Sequence, residues 1–206
     1  SYIHRCQKDG VKILMNCEVT PELIKEEKPD SVIIATGSKT LILPIEGIDN
    51  PAIIHGSDLL DGKRAAGKKV LVVGGGMVGC ETAAFLGEQE HDVTVIEFRD
   101  TVGADVIHEH RVYLMKDFED YGIKEITGAK VCKFYEDGVE YETADGVRHE
   151  SRGYDSVILS MGFRNYNPLE EKIKDLVPET HVIGDAIRAR RALDATKEAY
   201  EVASRI

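Results

Sequence analysis

Val70–Glu97 reads VLVVGGGMVGCETAAFLGEQEHDVTVIE: an apolar run, a knot of glycines, an alanine-bearing amphipathic stretch, a second apolar run and a carboxylate. Gly74, Gly76 and Gly79 spell G-x-G-x-x-G directly after KVLVV and directly before the helical pattern, the context this motif needs to hold a dinucleotide. Gly74 permits the tight turn, Gly76 lets a pyrophosphate approach the backbone, and Gly79 lets the helix pack close to the strand. The phosphates then meet the free N–H groups and the positive dipole end of that helix. Gly75, Met77 and Val78 share the turn and are counted with it as candidate cofactor contacts.

Glu97 ends the unit, about twenty residues beyond the motif, where a carboxylate accepts hydrogen bonds from both ribose hydroxyls. It would repel a 2′-phosphate, which favours NAD(H) over NADP(H). Arg99, two residues on, could instead pair with that phosphate, and Phe98 lies between the two. Both readings of Arg99, phosphate partner or solvated loop residue, are open at this stage.

Outward from this unit the chain alternates in element type. Residues 2–9 are helix-like and stop at Gly10, VKILMN (11–16) reads as a strand, and Thr20 with Pro21 opens a short helix. SVIIATG (31–37) reads as a buried strand, and the Pro- and Gly-bearing segment 38–51 as a loop and candidate boundary. A helix is expected over 107–121. Short strands then turn at Asp137-Gly138 and Asp145-Gly146, pairs suited to the positive backbone angles of hairpin turns, so an antiparallel meander is expected. DSVILSMG (155–162) and THVIGD (180–185) are further strands, and 193–206 a final helix. The expected fold is α/β and Rossmann-like: a parallel sheet with helices on both faces, plus the meander.

An internal echo runs through these elements. KDGVKI followed by PDSVIIATGSKT is answered by EDYGIKEI followed by YDSVILSMGFRN, as in two copies of one fold. Only the second copy carries a glycine-rich turn. Either the counterpart lies before Ser1, the reading we adopt, or the first copy has lost its nucleotide site.

Composition bounds the partners. The 206 residues are 42% hydrophobic with a formal net charge of −11, and Arg188, Arg190 and Arg191 form the one basic cluster. Small-molecule ligands are expected rather than nucleic acid or an anionic membrane. No apolar run approaches the roughly 20 residues that cross a bilayer, and no signal-peptide core opens the chain, which reads as cytoplasmic. Cys6, Cys17, Cys80 and Cys132 are scattered without a C-x-x-C pair, and of seven histidines only His108 and His110 lie close, on different helix faces. No metal site is expected. No catalytic triad or carboxylate pair is visible either, so no catalytic residue is assigned.

ATGS (35–38), VVGGGMVGCETA (72–83), VILSMGFR (157–164) and VIGD (182–185), in this order, resemble the flavoproteins with two dinucleotide-binding domains, in which an NAD domain is inserted within an FAD domain. The wording is most similar to the C-terminal region of the NADH:flavin oxidoreductases related to 2,4-dienoyl-CoA reductase and 2-enoate reductase. The resemblance implies a partial FAD-binding subdomain over 1–44 without its glycine motif, an inserted NAD-binding domain over 45–153, and over 154–206 the end of that domain and the return to the FAD subdomain. It implies that Thr36 and Gly37 close on FAD, that Gly184 and Asp185 hold its ribityl chain, and that the final helix points its N-terminus at the flavin ring. Gly162 would leave room for the nicotinamide end, with Met161 in place of the usual alanine or leucine. Glu81 would lie near the nicotinamide, or serve only as an acid in the helix's first turn.

The implied role is electron entry: NADH passes hydride to FAD, in the parent protein for reduction of an enoate or dienoyl-CoA double bond. FMN and an iron–sulfur cluster would belong to an upstream barrel domain of the same polypeptide, and this piece alone would be inactive. Two alternatives stand beside it, a ferredoxin- or rubredoxin-type reductase and a non-catalytic NAD(H)-sensing domain.

Overall fold

The computed structural model describes residues 2–206. The chain opens with α1 (Tyr2–Lys8), α2 (Pro21–Glu27), β1 (Ser31–Ile34) and β2 (Ser38–Thr40). There follow β3 (Ile54–His55), α3 (Gly56–Leu60), β4 (Lys69–Val73), α4 (Met77–Glu88), β5 (Asp92–Ile96), α5 (His108–Asp120) and β6 (Lys124–Ile126). The strands β7 (Lys130–Tyr135), β8 (Gly138–Glu142), β9 (Arg148–Arg152), β10 (Ser156–Leu159) and β11 (Phe163–Asn165) lead to α6 (Glu170–Ile173), β12 (Glu179–Val182) and α7 (Ala192–Ala203). Two compact units result, a central one over Thr40–Phe163 and a terminal one built from the residues up to Lys39 together with Arg164–Ile206. The first crossing, between Lys39 and Thr40, lies within the Pro- and Gly-bearing segment 38–51.

The central unit is a parallel sheet of order β3-β10-β4-β5-β6. Val70–Val73 of β4 are at most 2% exposed, as a strand covered on both faces must be. Alternation along the strand divides them. Val70 and Val72 pack with Val93, Val95, Cys80, Ala83, Leu86, Leu114 and Phe118 on the α4 and α5 side. Leu71 and Val73 pack with Ile96, Phe134 and Val139 on the side of the antiparallel β7-β8-β9 meander.

The two Asp-Gly pairs behave differently. Gly146 adopts φ +79°, as a hairpin turn requires. Gly138 does not: it lies inside β8, and a Cβ there would come within 2.0 Å of the Ser151 carbonyl oxygen, so its smallness serves strand approach rather than the turn.

In the terminal unit β1 pairs in parallel with β12, and Ile24, Ile34, Leu169, Ile173, Val177 and Ala186 form its core. Thr20 caps α2, its side chain accepting a hydrogen bond from Leu23 N, and Pro21 takes the first turn as expected. The expected strand over 11–16 does not form. Val11, Ile13, Leu14 and Met15 are exposed and pair with no strand among the described residues; apolar alternation without a partner ladder leaves the backbone unsatisfied. β1 is likewise only half covered, with Ile34 buried and Ile33 exposed. Among the described residues no helix is long and apolar enough to cross a membrane.

Candidate functional site

The site is built at the C-terminal edge of the central sheet, where β4 turns into α4. Gly74 has φ +106°, and a Cβ there would meet the Ser160 carbonyl oxygen at 2.4 Å. A Cβ at Gly79 would lie 1.8 Å from the Gly74 carbonyl oxygen, so α4 rests directly on the turn. Gly76 differs: at φ −72° it is ordinary extended backbone, and the three atoms nearest its missing Cβ belong to the Asp105 carboxylate, the closest at 3.2 Å. The first and third glycines are therefore required by backbone packing, whereas a Cβ at the second would press on one carboxylate, that of Asp105.

Asp105 is a member of the site that sequence reading did not single out. Its Oδ1 accepts a hydrogen bond of 2.9 Å from Met77 N and so satisfies one of the free amides at the start of α4. It comes from the loop after β5 and carries no local motif. Glu97, as expected, stands at the end of β5 beside the turn. Its Oε2 accepts from Gly75 N at 2.6 Å and its Oε1 from Arg99 N at 2.9 Å, which fixes the half-buried carboxylate in place. Each oxygen retains a lone pair for a further donor. The Arg99 side chain makes no ion pair among the described residues, and Phe98 is 69% exposed.

On the other side of β4, a small depression open to solvent is lined by Thr40, Gly56, Ser57, Val78, Leu159, Ser160, Gly162 and Phe163. Gly162 takes φ +95° with nothing within 4 Å of its missing Cβ, so this part of the lining is open. Ser160 is 8% exposed and its Oγ has no hydrogen-bond partner among the described residues. Met161 packs against the meander-side core. Glu81 is exposed on α4 and does not line the depression. Cys80, beneath the turn, is fully buried; its Sγ donates to Gly75 O, and burial pushes the thiol up to about 12. All four cysteines are free, and no cluster of three His, Cys, Asp or Glu suited to a metal occurs among the described residues.

The terminal unit brings its four candidates onto one loop system. Thr36 Oγ1 donates to Tyr166 O at 2.6 Å, and Gly37 has φ +72°. Ser38 Oγ and Arg190 N donate to the two oxygens of Asp185, and Gly184, at φ +60°, donates its N–H to Glu198 Oε2 at 2.7 Å. Arg190 closes the network on Glu198 Oε1. The guanidinium and the Gly184 N–H together hold the Glu198 carboxyl below its ordinary range. Arg190 and Glu198 were not legible as site residues, because their partners are set by how α7 returns past the Gly184 turn.

A family model described as pyridine nucleotide-disulphide oxidoreductase matches residues 6–176. The chain belongs to that family. The family is one of pyridine-nucleotide oxidoreductases by its description, and the α/β fold agrees with it. Among curated relatives, a cinnamate reductase of Clostridium sporogenes is 31% identical over 96% of this chain and 30% of its own length. An NADH oxidase of Thermoanaerobacter brockii is 32% identical over 96% of this chain and 31% of its own. A solved 2-naphthoyl-CoA reductase in complex with 2-naphthoyl-CoA matches with a TM-score of 0.89 and 31% identity, over 97% of this chain and 30% of that one. This family member thus spans about three tenths of the length of the relatives it matches.

Proposed function

We propose that the central unit holds NADH and supplies electrons to FAD, as the electron-entry part of a larger reductase acting on an activated carbon–carbon double bond. The observation that carries the nucleotide reading is the Glu97 carboxylate, held beside the glycine turn by Gly75 N and Arg99 N with lone pairs to spare. In this reading the pyrophosphate lies on the amides of Gly76, Met77 and Val78, Glu97 takes the adenosine ribose, and exposed Phe98 covers the adenine. Glu81 sits on the same helix and Gly162 gives the nicotinamide end its room. Thr36, Gly37, Gly184 and Asp185 contribute to FAD; Gly37 and Gly184 both take positive φ, which suits a close backbone approach. NADH, when bound, supplies the hydride. The chain's own residues supply position and electrostatics, so none need act as acid or base.

The double-bond acceptor rests on relatives named cinnamate reductase and 2-naphthoyl-CoA reductase. An enoate or dienoyl-CoA is the corresponding substrate class. FMN, an iron–sulfur cluster and a barrel domain belong to the rest of such a parent, and the cytoplasm is its compartment.

Calorimetric titration with NADH and NADPH tests the reading. NADH is expected to bind more tightly, and Glu97→Gln, which keeps an acceptor for one of the two backbone N–H groups and removes the charge, should remove most of the discrimination, about 1–3 kcal/mol. Equal or reversed affinities in the wild type would transfer the role to Arg99 and a 2′-phosphate.

A further inference from the structure

We infer that the Ser160 hydroxyl is a hydrogen-bonding contact for the carboxamide of the nicotinamide ring, an inference that rests on the dinucleotide reading above. Ser160 follows directly on the buried strand β10, and its N–H donates to Val73 O at 2.8 Å, which ties it to the end of β4. Three glycines from three elements make room for it. A Cβ at Gly74 would strike its carbonyl oxygen, one at Gly79 would stand 3.4 Å from its Cβ, and one at Gly56 would come within 2.6 Å of its Oγ. The hydroxyl is held in a fixed, crowded setting, yet it has no partner among the described residues.

A buried hydroxyl without a partner is costly, and such exceptions call for a ligand or a function. Ser160 lines the depression, so a ligand there can supply the missing bond. Strand order says which part of the ligand it is. The sheet runs β3-β10-β4-β5, with Glu97 following β5, the glycine turn following β4 and Ser160 following β10. A dinucleotide laid across the carboxyl ends of these strands, with its adenosine ribose at Glu97 and its pyrophosphate at the turn, brings the nicotinamide half to β10. The carboxamide N–H can donate to Ser160 Oγ, whose lone pairs are free to accept it.

The test compares three ligands on the 206-residue chain and its Ser160→Ala variant by calorimetry: NADH, ADP-ribose, which lacks the nicotinamide, and reduced 3-acetylpyridine adenine dinucleotide, which lacks the amide N–H. Ser160→Ala should weaken NADH about tenfold, the scale of one hydrogen bond in a desolvated site, and leave ADP-ribose unchanged. The acetylpyridine analogue should bind the two proteins more equally than NADH does. An unchanged thermal midpoint, or a raised one, would show that the variant folds. NADH affinity unchanged in Ser160→Ala, or NADH and ADP-ribose weakened alike, would overturn the assignment while leaving the dinucleotide reading intact. Failure of the wild type to bind either ligand would overturn both. The analogue binding wild type as tightly as NADH would also count against the carboxamide contact.

Discussion

At the residue scale, Gly76 and Asp105 divide one place between them. Gly76 lies in ordinary extended backbone, so Gly76→Val strains no dihedral and asks only the Asp105 side chain to give way, while the added side chain stands beside the first free amides of α4. The variant is expected to keep its unfolding midpoint and lose NADH binding; retained affinity in a folded protein would make the turn purely structural. Asp105 presents a negative charge to the same amide that a pyrophosphate would use. Asp105→Asn keeps an acceptor for Met77 N and removes the charge, so nucleotide affinity should rise several-fold at low ionic strength and the gain should shrink with added salt. Titrations at two salt concentrations check this, and an unchanged affinity would mean that the carboxylate does not face the phosphates. The glycines and Glu97 were legible from local spacing because their roles are backbone geometry at fixed offsets. Asp105 and Ser160 were not, since each meets its neighbours through the fold, Asp105 across 28 residues of sequence to Met77.

At the element scale, legibility followed whether an element carries its own partners. The strand–turn–helix–strand unit is buried on both faces by residues that follow it, and α2 announces itself through Thr20 and Pro21. VKILMN has the right pattern but no paired neighbour, so pattern and structure part there. The return of α7 past Gly184 is an element-level device of the second kind, fixed by Glu198 and Arg190. Because the Glu198 carboxyl titrates below its ordinary 4.5, its contacts persist above that value and are lost as the pH falls through the lowered one. Hydrogen exchange at the Gly184 amide should therefore be protected near neutrality and lose protection, beyond the intrinsic pH effect, only below about pH 4.5. In Glu198→Gln that acid step should vanish. Protection that ignores pH in the wild type would show that Gly184 is held by something other than this carboxylate.

At the scale of the whole molecule, the chain carries one complete G-x-G-x-x-G motif, and the proposed FAD contacts lie in the terminal unit. The central unit has the glycine turn, its helix and Glu97 in one fold. The terminal unit has Thr36, Gly37, Gly184 and Asp185 but no G-x-G-x-x-G turn opening a helix among the described residues. The FAD pyrophosphate would therefore lack several charged hydrogen bonds, each of about 1.5–3 kcal/mol, which separates tight from negligible binding. Legibility at this scale was limited to the one glycine motif, whose strand, turn and helix are contiguous in sequence, whereas the terminal unit joins segments far apart in the chain. The central claim, that this chain is a nicotinamide-nucleotide module of a flavoprotein, is tested most directly by titrating the purified 206-residue chain with NADH and with FAD side by side. The expected result is a colourless protein that binds NADH and takes up little or no FAD; a yellow preparation with stoichiometric FAD, or one that binds no NADH, would contradict it.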